Sequence, residues 1–438
     1  MANYDDYSVV RVAPEDRRSM WRVTVVRLGY FACTSQLLLG ATLGYGMKFW
    51  DAFWAVFLGS VILEIIGLAV GIMAAKEGMS TSLLTRWSGF GKIGSFLIGL
   101  IVAISLTGWF GVQNGITAIG MHQATGWFNV PVWSMITGLA LVAIVAYGFK
   151  ILSWTANIAL PLFLLAVGIA AYHMLSGQSL SALIASPAPG PALSFAVATT
   201  MVTGGFVVGV ATTPDIARFL SKGTDVLWMT IISTFVGELG ICLIAVLMAH
   251  AAKSSDIITI MITLSGWLGA AIVIFSTLKI NDINLYSSSL GLTNAVNIVS
   301  RRKISRVTIT IILGVIGSIL SAIGIVDKFI GFLVLLGVAI PPVVGVMVID
   351  YFILKRHRRE LDESKMNSNG LPPETEIWNP IAIISWIFGF LVGYFIEAGI
   401  PSINSLLAAG ILYYAGMKLY GAATKTSVVQ FKKISTME

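Results

Sequence analysis

Residues 269–294, GAAIVIFSTLKINDINLYSSSLGLTN, place an ammonium and a carboxylate inside an otherwise apolar run. Read as a helix, Lys279 and Asp282 stand three apart and can pair on one face, with Ser276 and Tyr286 near it. Thr277, Asn281, Asn284 and Ser288 form a second stripe on nearly the opposite face. A charge at a bilayer centre costs at least ~2.5–3.5 kcal/mol on insertion scales, so such residues mark ion or solute pathways by default. A self-neutralising Lys279–Asp282 pair would account for one stripe only and leaves the amide-rich face unexplained.

Residues 98–120, IGLIVAISLTGWFGVQNGITAIG, space Ser105, Trp109, Gln113 and Thr117 by four, which lines them along one helix face. An indole offers a flat apolar surface, and a glutamine amide offers both donor and acceptor. Trp109 and Gln113 together suit a planar heterocycle with an amide-like edge; they suit ordinary helix–helix packing equally well. Glu64 and Glu238 are further acids inside apolar runs, each a candidate proton carrier or the partner of a neighbouring helix. His122, His173 and His250 fall at run ends, where a wetted interfacial role is expected. The sequence has no His/Cys/acid cluster at metal spacing, no phosphate-binding glycine loop and no helical HExxH. No Ser–His–acid set shares a plausible site, so an enzyme is not expected, and neither a metal nor an organic cofactor is needed.

Composition says what must position these residues. Of the 438 residues 56% are hydrophobic and 11% charged, against roughly 25% charged in soluble domains. A bilayer core of about 30 Å takes about 20 apolar residues per helix. Such runs recur at about 23–47, 53–75, 93–120, 131–149, 151–174, 193–212, 225–250, 267–290, 306–325, 329–353, 380–397 and 402–420, which predicts an all-α integral membrane protein with twelve transmembrane helices. The first 22 residues are polar and charged, unlike a secretory signal peptide. Cys33 and Cys242 lie inside spans and read as small buried hydrophobes.

The net charge of +7 reports topology and not nucleic acid. Lys48, Lys253 and Lys328 fall on one side of the spans, Arg27 at the mouth of the first, Lys279 within the eighth, and the other 23 of the 28 basic residues on the opposite side. That asymmetry puts both termini in the cytoplasm of a multi-pass protein of the cell membrane. The predicted layout is one transporter domain, 1–438: a cytoplasmic N-terminus (1–22), a first repeat (23–174), a second repeat (193–353), a cytoplasmic loop (355–379), helices 11 and 12 (380–420) and a cytoplasmic tail (421–438). The charge run of the 355–379 loop reads as solvated.

Carriers built from inverted repeats interrupt corresponding helices at mid-membrane. The first span holds Thr34, Ser35 and Gln36 between Gly29 and Gly40, and the sixth holds Gly204 and Gly205 with Pro214 at its end. Five spans separate them, so they run in opposite directions. That spacing predicts a five-plus-five inverted repeat with broken helices 1 and 6, followed by two C-terminal helices. Gln36 and Gly205, at the two breaks, join the candidate solute-binding residues.

GATLGYG at 40–46, GWFGVQ at 108–113, TTPDIARF at 212–219, NDINLYSSSLG at 281–291 and AIPPVVGVMVIDY at 339–351 together resemble the nucleobase–cation–symport family of purine and cytosine permeases, bacterial cytosine permeases in particular. The stretches run in order across the first ten spans. The resemblance implies alternating-access import of a cytosine- or purine-like base held between Trp109 and Phe206, with Gln113 at a substrate-binding amide position and Asn281 beside the site. It implies a helix end and gating loop at Pro214, Asp215 and Arg218. Cytosine permeases carry Gln three residues before the tryptophan, where this chain has Leu106.

Sodium-coupled members of the family place two adjacent hydroxyls on the eighth helix; the matching positions here are Lys279 and Ile280, with Gly29, Cys33 and Ser276 at the companion positions. An ammonium there stands where sodium would sit. Coupling to protons, independent of sodium, is therefore expected, with Lys279 either exchanging a proton or held by Asp282 as a fixed ion mimic. Sodium-coupled transport of another heterocycle (hydantoin, allantoin or hydroxymethylpyrimidine) and an amino-acid carrier on the same architecture are the alternatives. The expected partners are a small solute and the lipid bilayer, with no nucleic acid and a monomer as the unit.

Overall fold

A computed structural model describes residues 7, 10–31, 33–147, 161, 163–165, 167–300, 305–368, 370–372, 374–423 and 433–435. The chain forms α1 (Met20–Phe31), α2 (Thr34–Gly46), α3 (Phe49–Glu77), α4 (Gly91–Thr125) and α5 (Val130–Tyr147). It continues through α6 (Phe195–Ala211), α7 (Gly223–Ala252), α8 (Ile257–Ser300), α9 (Arg306–Ala322), α10 (Phe329–Ala339), α11 (Pro341–Val348), α12 (Pro380–Phe395) and α13 (Pro401–Ala423). Helix is the form an apolar run takes where no water is available, because each backbone amide finds its partner within its own segment. The ends carry local stop signals. Gly78 closes α3 in the left-handed region (φ 68°) with its N–H on Ala74 O, and Ser194, Ser305 and Asn379 cap α6, α9 and α12 through their side chains.

Among the described residues six helices are long and apolar enough to cross a membrane, seven with the bent pair α1–α2, and Val130–Ala146, Phe163–Leu175, Arg306–Ala322 and Pro380–Phe395 are shorter apolar helices. The expected eighth span is the middle of the 44-residue α8. Much of the expected fifth span, 151–174, lies outside the described residues. Away from the helices, Glu374–Glu376 pairs antiparallel with Lys433–Ser435.

The helices pack in two groups. α4, α5, α8 and α9 lie against one another around Phe110, Leu141, Val142, Leu285 and Leu313. In the other group α2 packs on α7, α3 on α6, and α6 on α10. α11, α12 and α13 form a third contact set.

The first span breaks as the sequence predicts: α1 and α2 meet at 55° between Phe31 and Thr34. The sixth does not break at Gly204 and Gly205. α6 is continuous from Phe195 to Ala211, and the chain leaves it at Thr212 and Thr213 before the single turn Pro214–Ala217. The glycines serve contact instead. A Cβ on Gly204 would overlap the Leu333 carbonyl oxygen, and one on the facing Gly337 would come within 2.5 Å of Thr200 O. Thr199, Thr200 and Thr203 return their hydroxyls to carbonyls four residues earlier, which leaves no polar group to open the helix.

Gly204→Ala is expected to destabilise the protein by about 1–3 kcal/mol through this overlap. Gly331→Ala, where a Cβ would meet nothing within 4 Å, should leave stability unchanged. Thermal unfolding of the detergent-purified variants checks both; an unaltered Gly204→Ala protein would remove the close crossing of α6 and α10.

Candidate functional site

Polar side chains from four elements converge on the break of the first span. Cys33 enters α2 without capping it through a side chain, and its Sγ lies 3.2 Å from Ser35 Oγ. From α4, Gln113 donates Nε2 to Ser35 Oγ at 2.7 Å, and its Oε1 is buried without a partner. From α8, the Ser276 hydroxyl meets that of Thr34 at 2.5 Å, and Lys279 Nζ donates to Gly29 O at 3.5 Å. From α7, Cys242 Sγ donates weakly to Gln36 Oε1 at 3.5 Å, while Gln36 Nε2 is buried without a partner. An orphaned donor on Gln36, next to Ser35 in the chain, and an orphaned acceptor on Gln113, bonded to Ser35, therefore flank that residue, and leaving each unsatisfied costs about 1–3 kcal/mol.

The two expected aromatic walls have separate neighbours. Trp109 meets Phe332 edge to face at 5.3 Å and Phe329 at 6.4 Å. Phe206 stacks on Phe31, centroids 3.9 Å apart and planes 17° apart. Among the described residues no ring contact joins Trp109 to Phe206. Gly205 packs against Leu39 of α2, where a Cβ would stand 3.1 Å from its Cδ2.

The amide-rich stripe of α8 faces the neighbouring helices. Asn281 donates to Phe110 O at 3.2 Å, Asn284 donates to Asn281 Oδ1 at 3.5 Å, and the Thr277 and Thr117 hydroxyls meet. Lys279 and Asp282 form no ion pair among the described residues. The ammonium goes to the Gly29 carbonyl, so the self-neutralising pair is not what holds it.

Arg27 is the residue that reading the sequence missed. Counted as a charge at the mouth of the first span, it is 2% exposed within the bundle. Its Nε donates to Ser233 Oγ at 2.9 Å and its Nη1 to Thr213 Oγ1, with the guanidinium 5.8 Å from the Phe31 ring centre. Glu64 and Glu238 both act on it electrostatically. Glu64 Oε1 accepts from Thr230 Oγ1 at 2.6 Å. The only available signal was position, five residues inside an apolar run.

Asp215 and Arg218, expected at a gating loop, bind the α3–α4 link and the N-terminal segment. Asp215 Oδ1 accepts from Thr81 N at 2.9 Å, and Arg218 Nη1 donates to Tyr7 O at 2.7 Å. Pro214 starts the short helix after α6. Arg11 reaches across the same face: Nη1 pairs with Glu77 Oε2 at 2.9 Å and Nη2 donates to Ser364 Oγ at 3.1 Å.

The 355–379 segment corrects the solvated-loop expectation. Arg356 is buried between Asp350 (3.1 Å) and Glu376 (2.7 Å), and Tyr413 donates to Asp350. His357 Nδ1 lies 2.9 Å from Glu360 Oε2, and its Nε2 lies 3.6 Å from Glu376 Oε2. Burial opposes a charge on His357, but the Glu360 and Glu376 hydrogen bonds outweigh it and raise its pKa above the ordinary 6.5. Burial likewise opposes a charged Glu376, yet His357 and Arg356 hold its pKa below the usual value. His250, expected to be wetted, is buried between Ser186 Oγ (2.7 Å) and Met47 O (3.0 Å).

Comparison with known proteins matches residues 12–415 to the family described as permeases for cytosine/purines, uracil, thiamine and allantoin. The cytosine permease of Escherichia coli (strain K12) is 29% identical over 415 residues, 94% of each chain. The hydantoin permease of Microbacterium maritypicum is 22% identical, covering 94% of this chain and 87% of that one. Among solved structures, Mhp1, a nucleobase–cation–symport-1 family transporter in a closed conformation with bromovinylhydantoin bound, superposes with a TM-score of 0.75 at 20% identity, over 95% of this chain and 96% of that one.

The His357 contacts generate a pH signature. A histidine whose pKa is raised by folding adds stability that is fully present below about 6.5 and is lost as pH rises through the folded value. The Tm advantage of the wild type over His357→Gln should therefore be largest near pH 6 and shrink towards alkaline pH. Thermal unfolding across that range tests it; a constant difference would mean that the charge on His357 is not used.

Proposed function

The chain belongs to the family of permeases for cytosine/purines, uracil, thiamine and allantoin, a family of multi-pass secondary transporters and not of enzymes, and on that premise we propose that it imports a nucleobase or related flat heterocycle by alternating access. The observation that carries the solute class is Gln113: its amide is anchored on Ser35 through Nε2 and offers a buried, unpartnered Oε1. Four residues earlier on the same face stands Trp109. A heterocycle with an N–H edge would satisfy the Gln113 oxygen while its face lies on the indole. Gln36 Nε2 supplies the complementary donor, and Asn281 sets the position of this stretch of α4 through the Phe110 carbonyl. Phe206 would close the second face by leaving Phe31.

In this reading the twelve-helix, five-plus-five inverted layout holds, with Pro214, Asp215 and Arg218 at the gate and both termini cytoplasmic. The break at α1–α2 and the interruption after Ala211 support it as a related pair. The Lys279 ammonium at the Gly29 carbonyl supports sodium independence, because a cation already occupies a carbonyl that would otherwise face an ion. Protons are then the coupling ion. The hydantoin permease among the relatives keeps hydantoin-type heterocycles beside cytosine as solutes to test.

Trp109→Ala is expected to abolish solute binding, and Gln113→Ala to weaken it by about 10-fold or more, on the order of 1.4 kcal/mol; isothermal titration of the purified variants reads both. Wild-type affinity in Trp109→Ala would sink the stacking role. A panel of cytosine, uracil, hypoxanthine, hydantoin, allantoin and hydroxymethylpyrimidine, titrated with sodium or choline as the only cation, should give saturable binding of one heterocycle that is equal in both salts. Sodium-dependent binding would overturn the coupling role of Lys279.

A further inference from the structure

Beneath the break of the first span lies a second polar centre built from α1, α3 and α7. Over Ile232–Gly240 the helix α7 widens to i→i+5 bonding, a form that recurs at functional sites. The widened turn carries Ser233, which takes the Arg27 Nε, and Glu238. Glu238 is 0% exposed, and among the described residues neither carboxylate oxygen has a partner within hydrogen-bond distance. Arg27 keeps Nη2 unpartnered, and Glu64 keeps Oε2 unpartnered while its Oε1 accepts from Thr230. Both acids act on Arg27 electrostatically, yet among the described residues neither forms an ion pair with it.

Charge decides what such a centre does. One arginine and two ionised glutamates carry a net charge of −1, and a single proton makes the set neutral. A buried net charge costs several kcal/mol more than a neutral arrangement, so the set has one proton-binding step built into it. The two acids are not equivalent. Glu64 is half-buried and accepts from Thr230 at close range; Glu238 is fully buried, and the one donor that acts on it is the Gln36 amide. The other titratable or charged groups nearby are Tyr30 on α1, Cys33 at the break, Cys242 on the same helix and Lys279 of α8, held at Gly29 O. The thiols and the phenol are neutral near pH 7.

Glu238 is also wired to the solute site. It acts on the side chain of Gln36; Gln36 follows Ser35 in α2, and Ser35 holds Gln113. Arg27 lies over the Phe31 ring on which Phe206 stacks.

We propose that Glu238 is the proton-binding site of the carrier, with Arg27 as its fixed counter-charge and Glu64 as the carboxylate that stays ionised; this deepens the proton-coupled reading above and rests on it. The proton enters with the solute, resides on the Glu238 carboxylate, and leaves when the bundle opens to the other side. Lys279 then has no need to titrate.

The test uses the full chain in proteoliposomes loaded with the heterocycle identified by the binding panel. Solute counterflow and proton movement, followed with a trapped pH-sensitive dye, are measured for wild type, Glu238→Gln and Glu64→Gln. Glu238→Gln should keep solute affinity within about 3-fold and keep counterflow, lose proton movement and proton-driven accumulation, and bind solute equally from pH 5 to 8. Glu64→Gln leaves Arg27 and Glu238 as a neutral pair, so it should move the pH midpoint of solute binding downward by about one unit or more. Proton-driven accumulation by Glu238→Gln, or an unmoved midpoint in Glu64→Gln, would overturn the assignment. If Glu238→Gln does not fold, Arg27→Gln is read in its place: it should move the pH midpoint of solute binding upward by about one unit or more, and an unmoved midpoint would overturn the proposal. Absence of counterflow in the wild type would instead overturn the carrier reading beneath it.

Discussion

Inside a bilayer no water is available to satisfy a polar group, so every donor, acceptor and charge must find a partner in protein, solute or ion. Over most of this molecule the requirement is met. Thr199, Thr200 and Thr203 turn back to their own helix, Asn114 reaches Ser134 O at 2.7 Å, and Asn281 reaches Phe110 O. Around the break of the first span it is not. Gln36 Nε2, Gln113 Oε1, both Glu238 oxygens and Arg27 Nη2 are buried and unpartnered within a few residues of one another along α1, α2 and their neighbours. Single hydroxyls are left open elsewhere, Thr81 and Ser385 among them, but here donors, acceptors and charges of both signs are left open together.

The same region joins the two helix groups. Within each group the contacts are apolar or fixed by close backbone approach, such as Gly40 and Gly44 against α7, with a few buried hydrogen bonds such as Asn281 to Phe110 O. Between them run the ring contacts of Trp109 with Phe329 and Phe332 and single hydrogen bonds: Gln113 to Ser35, Ser276 to Thr34, Lys279 to Gly29 O. A net hydrogen bond is worth only about 0.5–1.5 kcal/mol. Rigid groups linked by a few such bonds can move as bodies, with the bonds exchanged and the cores unchanged, as alternating access requires.

Much of this was legible in the sequence. Four-residue spacing placed Ser105, Trp109, Gln113 and Thr117 on one buried face, and the Thr34–Ser35–Gln36 patch marked the break. Where the reading failed, one residue type had two physical meanings. Glycine marks both a broken helix and a close crossing, and Gly204 proved to be the second because its partner, Leu333, lies far along the chain. Arg27 was placed at the mouth of its span and given no role, because its hydroxyl partners, Thr213 and Ser233, lie 186 and 206 residues further along the chain. The 355–379 charge run looked solvated because Asp350 and Tyr413, which bury Arg356, lie outside it.

Lys279 and Arg27 show how a membrane carrier can use permanent charge. Each is a cation inside the span region, and each lacks an ion-pair partner among the described residues. Lys279 is met by a carbonyl, a dipole that cannot change charge, so its surroundings are the same at every pH. Arg27 is met by hydroxyls and by two carboxylates at longer range, one of which can be neutralised by a proton. A cation facing only dipoles can shape the site and stand in for an ion, but it cannot report whether a proton has arrived. A cation facing one carboxylate too many can. If the chain couples solute movement to a proton gradient, the distinction assigns shape to Lys279 and coupling to Arg27 and its acids, although both cations meet the same helix, α1, two residues apart.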